Sequence, residues 1–274
     1  MGVIADAMNR LFDLLTAPFG GAAAWAMALL SSLCGAGLML LFKVTTRQQK
    51  LAEARRRLTG LVYELGLFRD DLGVMLRIQR DLAVANLRFL WLTLPALVAL
   101  TIPALLILPQ FEARFARRPL SCGEWAVVTA RVAPGQAPVL ETLALAASPG
   151  VAIETPPVRD REALTAMWRV RVREAGRHEL TVRDAAGNAW TKRLEADGGL
   201  PRLAVVRERA SLRAALFNPG ERPLPRESVV ASLAVTAPSR QTRYGGLRLS
   251  WLAAFCVFSL TGALAVKVIF RIEV

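Results

Sequence analysis

Residues 89–111 read FLWLTLPALVALTIPALLILPQF, an apolar stretch without a charged side chain between Arg88 and Glu112. Two further uncharged stretches, Leu14–Phe42 and Leu249–Val266, are likewise bracketed by charged residues. A helix needs about 20 apolar residues to cross a bilayer core about 30 Å thick. Because each stretch reaches or nearly reaches that length, we expect a multi-pass membrane protein with three transmembrane helices.

The composition of the 274-residue chain fits a few spans joined to substantial water-exposed parts. Hydrophobic residues make up 54% and charged residues 21%, a mixture too apolar for an ordinary soluble domain and too charged for a pure membrane bundle. The net charge of +13 is scattered, and no nucleic-acid-binding motif accompanies it. We therefore expect contact with membrane lipids and with no specific nucleic acid.

Residues 1–19 predict a short amphipathic helix that lies at the membrane interface. The apolar residues that recur there at helical spacing are Val3, Ile4, Met8, Leu11, Phe12 and Leu15. Pro18 and two glycines separate this helix from the first span, which we place at residues 22–42. We expect this span to be uncleaved, because the chain start lacks the basic region of a signal peptide and the apolar run is too long for one.

Residues 43–88 are polar and carry a heptad pattern over more than four repeats. One apolar series is Leu51, Leu58, Leu65 and Leu72, and the second is Ala54, Leu61, Phe68, Met75 and Leu82. We expect a helical hairpin or coiled coil, in which Gly66 ends the first helix and Asp70 and Asp71 begin the second. A single long helix on the membrane surface is the alternative. The seam serves either packing within the chain or binding of a partner helix.

The second predicted span, residues 89–109, contains Pro95 and Pro103. Proline removes a backbone donor and kinks a helix, so the span either packs around two kinks or opens a groove there. None of the three uncharged stretches, residues 14–42, 89–111 and 249–266, contains Asp, Glu, Lys or Arg. Since proton relays and ion paths usually need such residues, we do not expect a pump or an ion-coupled transporter.

The composition differs in residues 112–246, where prolines, glycines and short runs of alternating apolar and polar residues predominate. The clearest predicted strands are Trp125–Val132, Met167–Arg173, His178–Arg183 and Ala189–Leu194. Their spacing predicts an antiparallel β-sandwich, and the meander from Trp168 to Leu194 resembles the end of an immunoglobulin-like bacterial domain. We expect Trp125 and Trp190 in its core, whereas exposure of either would indicate a binding face. The single histidine, His178, is expected at its surface.

The distribution of positive charge predicts the orientation. Residues 43–88 contain ten Lys and Arg against five acidic residues, whereas the first 13 residues contain one Arg against two Asp. We therefore expect the N-terminus outside and the helical segment in the cytoplasm of a bacterium. The β-region then lies in the periplasm, and a third span at residues 248–267 returns the tail, residues 268–274, to the cytoplasm.

Motifs that carry catalysis are absent from the sequence. It contains no nucleophile elbow, no zinc-protease helix, no CxxC pair and no phosphate-binding loop. Cys34, Cys122 and Cys256 are scattered and give neither a disulfide framework nor metal-ligand spacing. We expect a non-enzymatic protein without a cofactor or metal site.

The order of spans resembles the YidC-type membrane-protein insertase superfamily, whose small members have three spans. The resemblance rests on residues 42–50, which read FKVTTRQQK at the exit of the first span, and on the seam from Leu51 to Leu82. It implies a groove for incoming apolar segments around Pro95 and Pro103. It also implies contact of a ribosome or nascent chain with Arg47, Lys50, Arg55, Arg56 and Arg57. The chain departs from that family in having no basic residue inside its spans and in carrying a β-domain.

Two functions follow from these observations. The first is an accessory or structural subunit of a larger inner-membrane complex, which uses its spans and its periplasmic β-domain for protein–protein contacts. Small residues such as Gly35, Gly37 and Gly262 would support close helix packing, either with other subunits or within this chain. The alternative is a YidC-like insertase or membrane chaperone.

Overall fold

The computed structural model describes residues 2–68, 72–211, 214 and 217–272. It combines long helices with antiparallel β-sheets, which confirms the mixed α and β class. Three helices are long and apolar enough to cross a membrane: Ala23–Thr45, Gly73–Ala116 and Trp251–Phe270. The chain forms two compact units, one of residues 1–27 and 106–254 and the other of residues 28–105 and 255–274.

Four helices precede the sheets. Their bounds are Gly2–Thr16 for α1, Ala23–Thr45 for α2, Gln48–Leu67 for α3 and Leu72–Phe111 for α4. A 3-10 turn, Ala17–Phe19, follows α1, and a π-helical turn, Glu112–Ala116, extends α4. Helix α4 continues through Pro95 and Pro103 without interruption. The expected helix-starting residues, Asp70 and Asp71, lie outside the described residues.

Burial in α3 and α4 follows a heptad period. Leu51 of the predicted seam is 1% exposed, and the remaining seam positions of α3 are less exposed than most of their neighbours. At the start of α4 the predicted positions Met75 and Leu82 are half-buried, and Ile78 and Ala85, three residues after each of them, are buried. The second apolar series of the seam therefore continues at half-buried positions in α4, where Ile78 and Ala85 lie beside it. Antiparallel pairing of the two segments stays a prediction.

Among the described residues, the β-region contains short strands and the short helix α5 at Ala137–Thr142. The strand bounds are β1 Trp125–Val132, β2 Ala144–Ala147, β3 Val151–Ile153, β4 Val158–Asp160, β5 Thr165–Val172, β6 Gly176–Arg183, β7 Ala189–Ala196, β8 Val206–Glu208, β9 Val230–Val235, β10 Thr242–Tyr244 and β11 Leu247–Leu249. The four clearest predicted strands correspond to β1, β5, β6 and β7, which confirms them as strands.

Two of the sheets enclose one hydrophobic core. The larger sheet has the strand order β3-β5-β1-β9-β8, with β4 also paired to β5, and the smaller has the order β2-β6-β7. Alternate residues of both point into a single cluster, among them Val128, Trp168 and Leu233 from the larger sheet and Leu180 and Trp190 from the smaller. Burial of side chains of this size contributes about 1.5–3 kcal/mol each.

The last helix, α6 at Trp251–Phe270, runs beside α2 in the same direction. A Cβ atom added at Gly35 would lie 1.8 Å from the carbonyl oxygen of Ser259, and one at Gly262 would lie 2.0 Å from that of Ser32. Further along, Lys43 Nζ lies 4.9 Å from the ring centroid of Phe270. The two backbones touch at their glycines, so these small residues pack α2 and α6 of this chain against each other.

Candidate functional site

The outer face of the larger sheet carries an exposed tryptophan. Strand β1 points Ala126, Val128 and Ala130 into the core, so Trp125 points away from it and is 51% exposed. The expectation that Trp125 lies in the core is therefore wrong, whereas Trp190 is buried in the core as expected. Tryptophan is among the residue types enriched at the centres of protein interfaces.

Two arginines on β5 hold positions beside this tryptophan. The Arg169 guanidinium lies 4.7 Å from the centroid of the Trp125 ring, within the range of a cation–π contact. Arg169 Nε also lies 2.9 Å from Glu154 Oε2, and Arg171 donates to the other oxygen of the same carboxylate. The hydrogen bond from Arg171, together with both positive charges, lowers the pKa of Glu154, which therefore stays ionised and orients the arginines at neutral pH.

We name this surface the Trp125 face and define it by Trp125, Glu154, Arg169 and Arg171. Its two arginines outweigh its one carboxylate, so the face is positively charged beside a flat aromatic ring. Tryptophan and arginine are the residue types that contribute most to binding at protein interfaces. The arrangement suits binding of a protein surface that is acidic around an apolar centre.

A buried arginine fixes α1 to the end of α4. Arg114 is 0% exposed, and its Nη2 donates to Asp13 Oδ1 at 2.6 Å while its Nη1 donates to Gln110 Oε1 at 2.7 Å. Gln110 Nε2 in turn donates to Asn9 Oδ1 at 2.9 Å. Phe12 packs edge-on against Phe111, with ring centroids 5.7 Å apart. One face of α1 is thus docked, whereas Leu11 and Leu14 on the other face are exposed.

Replacing Asp13 with asparagine tests this docking. We expect Asp13→Asn to lower the free energy of unfolding by about 1.5–3 kcal/mol, because the Arg114 cation stays buried but loses its charged acceptor. Thermal unfolding in detergent measures the effect. Asp6→Asn is the matched control, because Asp6 lies on the same helix and is exposed. A loss for Asp6→Asn equal to that for Asp13→Asn would contradict this role of Arg114.

A second buried cation lies in the smaller sheet. Lys192 is 1% exposed, and its Nζ lies 2.8 Å from Glu221 Oε2 and also donates to the carbonyl oxygen of Ala204. Glu221 Oε1 accepts a hydrogen bond of 2.6 Å from the backbone N–H of Arg193. Burial lowers the pKa of Lys192, and the charge of Glu221 partly offsets this. A cleft of about 600 Å³ borders Glu221 and is lined by several arginines.

His178 is buried, so the expectation that it lies at the surface is wrong. Its Nε2 donates to the carbonyl oxygen of Glu174 at 2.7 Å, and Ser148 Oγ lies 3.3 Å from its Nδ1. Its ring fills the space above Gly150, where an added Cβ would lie 2.2 Å from His178 Cε1. Among the described residues no group of three or more His, Cys, Asp or Glu could hold a metal ion.

The residues suggested by the insertase resemblance lie in the second unit. Arg47 immediately precedes α3, and Lys50, Arg55, Arg56 and Arg57 are exposed along that helix. Pro95 is exposed and Pro103 is half-buried on α4. Their contact with a ribosome, a nascent chain or another client stays a prediction.

Sequence reasoning missed the two buried cations and the exposed tryptophan. Lys192 had a usable signal, because it alternates in step with the core residues Trp190 and Leu194 and so had to point inward. No local pattern indicated the burial of Arg114, because its partners on α1 are about 100 residues away in the chain.

Comparison with protein-family models, with curated proteins and with solved structures gives no match. The resemblance to the insertase superfamily therefore stays a prediction, and the function has to be argued from the surfaces described above.

Proposed function

We propose that this protein is a non-enzymatic accessory subunit of a larger complex in the bacterial inner membrane. Its three apolar helices are the spans, with the N-terminus outside and the C-terminus in the cytoplasm. Its two core-forming sheets are a periplasmic sandwich of the immunoglobulin-like type, and this domain binds a neighbouring subunit.

The observation that carries this proposal is the exposure of Trp125 beside a preorganised arginine pair. Glu154 holds both guanidinium groups in place, so little side-chain entropy is lost when a partner covers them. Val158, 59% exposed on the neighbouring strand β4, extends the apolar part of the surface. The partner is a protein whose acidic rim pairs with the arginines around an apolar contact with the indole.

The membrane helices support the same function. In the most apolar 18-residue segment of α4, 6% of the residues are buried within this chain, whereas 28% are buried in the corresponding segment of α2. Helix α4 therefore presents nearly its whole surface to lipid or to spans of other subunits. Helices α2 and α6 run in the same direction, as a chain with three spans requires of its first and third.

Replacing Trp125 with alanine tests the proposal. We expect the tagged wild-type protein to retain a stoichiometric partner in mild detergent, and Trp125→Ala to weaken that retention by about 30-fold. This follows because a central tryptophan at an interface contributes about 2 kcal/mol or more. The amount of co-purified partner, measured by quantitative mass spectrometry, gives the ratio.

Phe217→Ala is the matched control, since Phe217 is an aromatic residue of similar exposure, 47%, elsewhere on the chain. It should leave partner retention unchanged. Purification of the wild-type protein alone, or equal retention by Trp125→Ala, would show that the β-domain is not a subunit contact.

A YidC-like insertase or chaperone is the second candidate, favoured by the exposed cations on α3 and the exposed surface of α4. Crosslinks from residues 43–88 to ribosomes or nascent chains, in place of a stable complex, would favour it over the subunit.

A further inference from the structure

A cleft of about 340 Å³ lies where the chain leaves α4 and where it enters α6. Three arginines line it: Arg117, Arg240 and Arg248. Glu112 is the one acidic side chain among its lining residues, so the cleft has a net positive charge. We name it the membrane-proximal cleft.

Arg117 and Arg240 of this cleft form their side-chain hydrogen bonds with backbone carbonyl oxygens. Arg240 Nε donates to the carbonyl oxygen of Arg117 at 3.3 Å, and Arg117 Nη1 donates to that of Ala237 at 3.1 Å. In the described part of the chain, no carboxylate forms an ion pair with any of the three arginines. Burial, with a smaller contribution from the charge of Arg118, lowers the pKa of Arg240, as expected for a cation without a counter-ion.

The hairpin beside the cleft brings two positive charges together. In the β10–β11 ribbon Arg243 lies directly opposite Arg248. Like charges at directly opposed positions destabilise a two-stranded ribbon. The hydroxyl of Tyr244 on the same hairpin donates to the carbonyl oxygen of Ala24 at 3.2 Å, close to the start of α2. An anion bound among these arginines would remove the repulsion.

The depth of the cleft relative to a membrane follows from the positions at which the apolar parts of α4 and α6 end. The apolar stretch of α4 ends at Phe111, six residues before Arg117, and α6 begins at Trp251, three residues after Arg248. The ends of spans lie in the headgroup layer, where tryptophan is enriched and where the phosphate groups of lipids are found.

We infer that the membrane-proximal cleft binds the phosphate group of an anionic phospholipid. Arginine forks match the oxygens of a phosphate, and a negatively charged headgroup would balance the three cations. The inference rests on the membrane placement in the proposed function, but not on the Trp125 face. Such a lipid would hold the base of the β-domain at the membrane surface.

Lipid titration of the purified full-length protein in neutral detergent tests this inference. The probes are dioctanoyl phosphatidylglycerol, dioctanoyl phosphatidylcholine and inorganic phosphate. We expect phosphatidylglycerol to bind about tenfold more tightly than either of the others. The double variant Arg117→Gln/Arg248→Gln should weaken phosphatidylglycerol binding about tenfold, because two of the three forks are lost.

Arg131→Gln/Arg183→Gln is the matched control, since both residues are exposed and the charge change is the same. It should bind phosphatidylglycerol as the wild type does.

Equal binding of both lipids, or unchanged binding by the cleft variant, would overturn the inference. If inorganic phosphate bound as tightly as phosphatidylglycerol, the cleft would be a site for free phosphate and not for a lipid headgroup. If the cleft variant fails to fold, Arg248→Gln alone decides, because Arg248 is exposed. Trp125→Ala should leave lipid binding intact, which separates this test from that of the proposed function.

Discussion

Gly35→Val is expected to separate α2 from α6 and to lower the free energy of unfolding by roughly 3 kcal/mol, at the upper end of overpacking effects. The first atom of the new side chain would lie 1.8 Å from the carbonyl oxygen of Ser259, and a backbone oxygen cannot move aside as a flexible side chain does. The two helices must therefore move apart, which removes the reciprocal contact of Gly262 with Ser32 as well.

The measurement for this prediction is the unfolding midpoint in an SDS titration followed by circular dichroism. Gly37→Val is a close control, because Gly37 lies two residues further along α2 and an added Cβ would meet no atom within 4 Å. Gly262→Val should behave like Gly35→Val. If Gly37→Val were as damaging as Gly35→Val, the effect would belong to valine in the helix and not to the contact between helices.

Glu221→Gln is expected to destabilise the β-domain by about 3–5 kcal/mol, because it leaves the ammonium of Lys192 buried without a counter-charge. The double variant Lys192→Met/Glu221→Gln should recover most of this loss. It removes the buried charge, and glutamine can still accept the hydrogen bond from the backbone of Arg193. Glu141 is 48% exposed and pairs with Arg161 at 2.7 Å and with Arg159 at 3.8 Å, so Glu141→Gln should change stability by less than about 1 kcal/mol.

The pH dependence of the Glu221→Gln variant gives a further check on the same pair. Burial already lowers the pKa of Lys192, and loss of the Glu221 charge lowers it more. An unfolded lysine keeps its proton up to a pKa of about 10.4. Between the folded pKa and that value the unfolded state binds more protons, so the stability of the variant should rise with pH. A deficit that stays constant as pH rises would show that Lys192 carries no buried charge.

The long strands of the β-domain could be predicted from local patterns. The side of each strand that faces the core could not always be predicted from them. Alternation in β1 defines two faces, one with Ala126, Val128 and Ala130 and one with Trp125. The small residues face inward because Trp168 lies directly opposite Val128 and fills the core there. Trp125 is left outside, and this choice depends on a strand some 40 residues away.

The position of His178 has the same kind of cause. A lone histidine between polar neighbours is usually at the surface, but the absence of a side chain at Gly150 leaves room for its ring. Hydrogen bonds with the carbonyl oxygen of Glu174 and the hydroxyl of Ser148 then satisfy both ring nitrogens. No periodic pattern links residues 148, 150, 174 and 178, so the burial could not be predicted.

The sequence by itself determined the three apolar helices and the four longest strands, because a run of about 20 apolar residues and an apolar–polar alternation are local properties that backbone hydrogen bonding converts directly into structure. Tertiary structure alone decided which cations are buried, which aromatic ring is exposed and which glycines meet. Arg114 with Asp13, Lys192 with Glu221 and Gly35 with Ser259 are pairs between distant segments. Their energies come from desolvation and close packing, which exist only after those segments have come together.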